Sequence, residues 1–227
     1  MTRDLRGALN RTDMNRRVER VAGILLAGGA STRMGKTKQL LPLGGKTLVE
    51  RVLIEALTSE LERIVLVLGY QAGDIKKVIT PLFPEPKLSI IENRQFKQGI
   101  SSSIIAGLSE IENTHDHAMI LLGDMPFIHR DLINLLLRRY LRSGLPIGAI
   151  KGKDRPAHPM IFSRALYPEL LILRGDVGGR ALFGKYSDQV CLIEPEGSYD
   201  GRDIDTPDDY AEFQISLKNQ VDEKDNE

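Results

Sequence analysis

The chain has 227 residues, enough for one α/β domain whose core needs no disulfide or metal staple. Lys plus Arg (31) equals Asp plus Glu (31), so the bulk charge that holds proteins on nucleic acid is absent. With 41% hydrophobic and 27% charged residues, and no apolar run of about 18, neither a disordered nor a membrane-spanning chain is expected.

Residues 1–19 are basic but lack the apolar stretch of a signal peptide, which predicts a flexible arm. Val21 to Ala27 is a short apolar run that ends at Gly28-Gly29, a buried strand entering a glycine loop. Leu48, Val49, Val52, Leu53, Ala56 and Leu57 have helical spacing over residues 46–58. Ile64–Leu68 is a second buried strand, Asp74–Ile79 a short helix, and Leu88–Ile91 a third strand. Ile100, Ile104, Ile105, Leu108 and Ile111 mark the next helix, Ala118–Leu122 the fourth strand, and Leu132–Leu141 an amphipathic helix. Beyond Gly144 the strand candidates are shorter: Ile147–Ile150, Met160–Phe162 and Val190–Ile193. Cys191 lies in the last of these, so a buried, reduced thiol and a cytoplasmic location are expected. Residues 20–215 are predicted to form one domain, and 216–227 a frayed acidic tail.

Apolar strands alternating with amphipathic helices predict an α/β fold: a Rossmann-like, mostly parallel sheet with helices on both faces. The stretch after about residue 145 is expected to add a small mixed part that closes over the loops. Ligands in such sheets bind beyond the carboxyl ends of the strands.

The loop after the first strand combines Gly28, Gly29 and Gly35 with Arg33, Lys36 and Lys38. Glycines let backbone amides approach phosphate, and the cations add charge where a triphosphate would lie. Its spacing fits neither familiar phosphate loop. Gly29 and Gly35 enclose five residues where a Walker A loop has four, and no Gly-x-Gly-x-x-Gly is present.

Asp124 follows the fourth strand at the carboxyl edge of the sheet. A carboxylate there reads equally as a helix cap or as a ligand to a metal that bridges phosphates; the glycine loop in the same sheet favours the metal, magnesium. In Asp203-Ile204-Asp205-Thr206-Pro207, Thr206 is predicted to cap a helix from Pro207, and Asp203 and Asp205 to face one way along a short strand. Asp205 is the expected second ligand and Asp203 the fallback. Gly175, Asp176 and Gly178 sit in a glycine-rich turn read as leading into a helix, which could receive an acceptor phosphate. His115, His117 and His129 read as surface residues, without the spacing of a zinc site.

The run LLAGGASTRMGKTKQLLPLGGKTLVERV resembles the signature of the nucleotidyltransferases that attach NMP to molybdopterin, and is most similar to their molybdenum cofactor cytidylyltransferase branch. NRQFKQGISSSI, LLGDMP, AHPMIF, RGDVGGRALF and DIDTPDDY follow in the family's order, over residues 21–213. The resemblance implies a GT-A-like fold, with the nucleotide along Leu26, Ala27 and Gly28 and the triphosphate held by Gly29, Arg33, Gly35 and Lys38. It places Asn93, Ser101, Ser102 and Ser103 on the nucleotide side, His158 and Pro159 on the acceptor side, and Arg33, Lys38 and Asp124 in catalysis. CTP is the favoured NTP. Gly28-Gly29 is the form usual in the guanylyltransferase relatives, so GTP is the alternative. The implied partners are a molybdopterin-type acceptor and a molybdoenzyme client. The rival readings are NMP transfer to a sugar or polyol phosphate, and a non-catalytic cofactor carrier.

Overall fold

The computed structural model describes residues 18–83, 86–196 and 199–224, with side chains up to residue 217. Apart from residues 18 and 19, the expected N-terminal arm lies outside the described residues.

The elements are β1 (Val21–Ala27), a small hairpin of β2 (Pro42–Leu43) and β3 (Lys46–Thr47), α1 (Leu48–Thr58), β4 (Arg63–Leu68) and α2 (Ala72–Leu82). They continue with β5 (Leu88–Glu92), α3 (Ile100–Ser109), β6 (His117–Leu122), α4 (Arg130–Ser143), β7 (Ile147–Lys151) and β8 (Pro156–Ser163). α5 (Tyr167–Leu171), β9 (Val190–Ile193) and α6 (Pro207–Lys224) complete the chain. Seven strands form one sheet in the order β5-β4-β1-β6-β8-β7-β9. β1 pairs in parallel with β4 and β6, and β4 with β5; β8 alone runs against its neighbours.

Strand alternation sorts the core into two layers. Val21, Leu25 and Ala27 of β1 point to one face with Ile64, Leu66 and Leu68 of β4, and there meet α1, α2 and α4. Ala22, Ile24 and Leu26 point to the other with Val65 and Val67, and meet α3 and α5. Both faces are covered, which is why β1 is apolar at every position. Buried aliphatic side chains each contribute about 1.5–3 kcal/mol, so this double layer dominates the stability.

The expected mixed C-terminal part is present, as a continuation of the main sheet. β7, β8 and β9 extend the main sheet, because β8 pairs with β6 through Ala118↔Phe162 and Met119↔Ile161. α6 runs on to Lys224, into residues that the sequence suggested as a frayed tail. Asp203 and Asp205 do not lie on a strand. Cys191 is half-buried on the edge strand β9, not enclosed in the core.

A third apolar cluster joins the far segments of the chain. Leu43, Leu48, Phe127, Ile204 and Phe213 pack together, with the Phe127 and Phe213 rings stacked 4.9 Å apart. Ile204 is fully buried, and its N–H donates to the Asp124 carbonyl at 3.0 Å. Thr206 caps α6 as its sequence suggested: its Oγ1 accepts from the Asp209 N–H at 3.2 Å, and Asp209 Oδ2 accepts back from the Thr206 N–H at 2.8 Å.

Candidate active site

The carboxyl ends of β1, β4, β5 and β6 meet on one side of the sheet, where a cleft of about 830 Å³ opens. Leu26, Ala27, Gly28, Gly29, Arg33 and Lys38 line one wall, and Asp124, Asp203 and Asp205 another.

The glycine loop owes its shape to two close approaches. A side chain at Gly69 would meet the Gly28 carbonyl oxygen and Phe96 Cβ, each at 2.6 Å, so the loops after β1 and β4 touch backbone to backbone. Gly29 and Gly35 face open space, and Gly35 has φ +62, a left-handed conformation that an L side chain rarely adopts. Ser31, also left-handed at φ 51, accepts the Lys38 N–H on its Oγ at 3.2 Å. Buried Gln39 donates to the Gly29 carbonyl at 3.2 Å and so closes the loop from behind.

Asp124, Asp203 and Asp205 each offer a carboxylate oxygen within 4.8 Å of the others. Asp124 comes from the end of β6. Asp203 and Asp205 flank Ile204, whose burial among the phenylalanines holds both beside Asp124. The Lys38 ammonium sits among them, 2.6 Å from Asp124 Oδ2, 2.8 Å from Asp205 Oδ1 and 3.1 Å from the Ile204 carbonyl. Arg33, largely exposed, pairs with Asp205 Oδ2 at 2.9 Å.

The charges follow from this packing. Burial presses Lys38 down, but Asp124 and Asp205 outweigh it and hold the ammonium above its ordinary range. Burial holds the Asp124 carboxyl up despite Lys38. For Asp205 the order reverses, because Lys38 and Arg33 overcome burial and hold it low. Asp124 Oδ1 is buried without a hydrogen-bond partner. An orphaned carboxylate oxygen beside two further carboxylates, already arranged around a cation, is a donor set that fits a hard divalent ion.

The remaining residues divide. Ser103 lines the cleft. Asn93, Ser101 and Ser102 are buried behind it: the Asn93 amide donates to Ser102 Oγ at 2.8 Å and Ser103 Oγ at 3.1 Å, and the Ser101 N–H donates to the Gly175 carbonyl at 3.2 Å. His158, Asp176 and Gly178 line a second, adjoining cavity. Pro159 follows His158 through a cis peptide, and Gly175 has φ +66. The turn holding Gly175, Asp176 and Gly178 leads into a four-residue 3-10 turn, Gly179–Leu182, and not into the expected helix. Asp176 instead caps α3, accepting the Ile100 N–H at 3.3 Å. Tyr70, from the loop after β4, also lines the cleft where no motif marked it, as do Phe96 and Lys97, which lie within NRQFKQGISSSI but are not among the expected site residues.

Two histidines read as surface residues are buried. His115 is 1% exposed, and His117, 9% exposed, contacts the Tyr140 hydroxyl through Nδ1 at 2.9 Å. Burial keeps both below the ordinary histidine range.

Burial and the nearby Arg180 also lower His158, to about 4. Unfolded, it would titrate near 6.5. Between those values the unfolded chain binds more protons, so stability falls as pH drops through that window, by up to about 3 kcal/mol. Urea denaturation of wild type and His158→Gln at pH 7 and pH 4.5 checks this: the variant should lose less stability on acidification. An equal loss would show that His158 is not the group responsible.

The profile of the MobA-like NTP transferase domain matches residues 23–190. The chain belongs to this family. As a MobA-like protein it is a nucleotidyltransferase, with the α/β fold of that class. Its relatives carry varied names. It is 31% identical over 193 residues to nicotine blue oxidoreductase of Paenarthrobacter nicotinovorans, covering 82% of this chain and 92% of the relative. It is 29% identical over 189 residues to molybdenum cofactor cytidylyltransferase of Escherichia coli K12, covering 82% and 92%. Among solved structures, the Rv0371c homologue from Mycobacterium sp. strain JC1 superposes with a TM-score of 0.75 at 28% identity, covering 88% of this chain and 98% of that one. No helix among the described residues of this MobA-like transferase is long and apolar enough to cross a membrane.

Proposed function

We propose that the protein transfers CMP from CTP to the phosphate of a molybdopterin-type acceptor and releases pyrophosphate. The observation that carries this reading is the carboxylate trio facing a glycine loop across one cleft. Similarity to the molybdenum cofactor cytidylyltransferase supports the choice of acceptor and base.

An acceptor phosphate oxygen attacks the α-phosphorus, and the bond from that phosphorus to the bridging oxygen breaks. Catalysis is then positioning and charge neutralisation. The amides of Gly28 and Gly29 and the Arg33 guanidinium hold the β- and γ-phosphates. Asp124 and Asp205, with Asp203 beside them, are the residues that would hold magnesium. Bound there, the ion would neutralise charge on the departing pyrophosphate. Lys38, released from the carboxylates, offers its ammonium to the α-phosphate. Ser103 and the Tyr70–Phe96 pair, whose ring centroids lie 6.3 Å apart, border the base.

One feature favours GTP as a second reading. A methyl group at residue 28 would meet Ser103 Oγ at 3.3 Å, so Gly28 leaves the cleft floor wider than alanine would. Pyrophosphate release with magnesium, molybdopterin and each of the four NTPs, followed by product mass, decides between them. CTP should give at least about tenfold the rate of GTP; a faster rate with GTP reverses the base assignment, and no release with any NTP removes the reading.

A further inference from the structure

The second cavity, about 400 Å³, adjoins the nucleotide cleft and shares Ile100, Leu122, Asp176 and Asp203 with it. A molecule there would reach the aspartate trio from a side that the glycine loop does not line. Two guanidiniums enter this cavity from separate parts of the chain: Arg155 from the β7–β8 turn and Arg180 from the 3-10 turn at Gly179–Leu182. Neither has a hydrogen-bond or ion-pair partner among the described residues.

Both side chains are exposed, and the backbone beside each is tightly packed. A side chain at Gly152 would collide with the Arg155 carbonyl, and one at Gly179 would meet the Phe162 ring at 2.6 Å. Burial, and then the like charge of Arg155, press the Arg180 guanidinium below its ordinary range. Two like charges in one cavity, neither in a direct ion pair, form a seat for an anion, with Asp203 acting on Arg180 only at longer range. His158, neutral near pH 7, adds a hydrogen-bonding edge without charge. Two acids also face the cavity. Asp176 is engaged by the Ile100 N–H, and Asp203 belongs to the trio. The opposite lining is apolar: Ile104, Ile120, Leu122 and Met125.

We propose that Arg155 and Arg180 seat the dianionic phosphate of the acceptor, and that the apolar lining selects a phosphomonoester with a flat or hydrocarbon body over a polyol phosphate. The proposal rests on the transfer reading above for its chemistry. Held there, the dianion uses an oxygen lone pair to form the new bond to the α-phosphorus. The bond from that phosphorus to the β-phosphate oxygen breaks, and its electron pair leaves with pyrophosphate. No proton moves, so no general base is required.

The test pairs kinetics with direct binding. Calorimetry on metal-free protein uses phenyl phosphate and glycerol 3-phosphate as probes. Acceptor KM and CTP affinity are measured for wild type, Arg180→Gln, Arg155→Gln/Arg180→Gln and Arg33→Gln. Loss of one charged contact should weaken the phosphomonoester about tenfold, and loss of both about a hundredfold. CTP affinity should hold in those variants and fall in Arg33→Gln, which should bind phenyl phosphate normally. Phenyl phosphate should bind more tightly than glycerol 3-phosphate; equal affinities overturn the selection of an apolar body. Unchanged phenyl phosphate binding and acceptor KM in the double variant overturn the seat. If wild type releases no pyrophosphate with any NTP while phenyl phosphate binding still needs both arginines, the transfer reading fails and the dianion seat stands.

Discussion

Asp124→Asn should lower kcat by about a thousandfold or more, with little change in the far-ultraviolet spectrum or in Tm. The substitution keeps shape and polarity but removes the charge proposed to align cation and phosphates, and loss of one such preorganised group costs about 10²–10³ in rate even without a metal. The fold should survive because the segment is anchored elsewhere: Ile204 donates to the Asp124 backbone carbonyl, not to its side chain. A carboxylate that burial already disfavours in its charged form costs stability when ionised, so its removal is not expected to unfold the protein. Steady-state pyrophosphate release beside a thermal melt checks both halves. Near-normal turnover in a folded Asp124→Asn protein would remove the aspartate from the mechanism.

Lys38→Met should have the second large effect, and in two separable ways. In metal-free buffer the variant should lose about 2–4 kcal/mol, because Asp124 and Asp205 are left close together without the ammonium that bridges them. Magnesium should then raise its Tm more than it raises that of wild type, since in wild type the ion must first displace Lys38. The pH dependence has a definite sign. Burial holds Asp124 above its ordinary range, so the folded variant binds a proton there before the unfolded chain does. Metal-free Lys38→Met should therefore become more stable as pH falls toward the carboxylate range. Turnover should drop about a hundredfold even with saturating magnesium, through loss of charge at the α-phosphate. Equal Tm shifts with magnesium in the two proteins would mean that the ammonium and the metal do not share a site.

These effects depend on a site that was only partly readable from residue order. β1 and its glycine loop were legible because a strand buried on both faces must be apolar at every position, and Gly28-Gly29 breaks that run abruptly. Asp124 was legible for the same reason at the end of β6. The partners of Asp124 were reached by a route that does not exist in the structure. Asp203 and Asp205 converge not through strand alternation but because Ile204 between them is drawn into the cluster of Phe127 and Phe213. Such packing joins residues far apart in sequence and leaves no local pattern. His117 makes the same point, since its burial depends on Tyr140 from α4. The mixed C-terminal part was legible, but not that it joins the main sheet, because β8 is selected by pairing with β6 while its own residues read only as a short apolar stretch. Arg155 and Arg180 stood in turns with no periodicity, and only the folded chain brings them into one cavity.

A triphosphate on the glycine loop would face the aspartate trio across the cleft. Crystals grown with CTP and manganese, an oxygen-ligated stand-in for magnesium, test it most directly. The anomalous signal should fall between Asp124 and Asp205, with the Lys38 ammonium withdrawn from them and the phosphates against the backbone amides of residues 28–33. Manganese bound without Asp124, or a nucleotide seated away from that loop, would contradict the account.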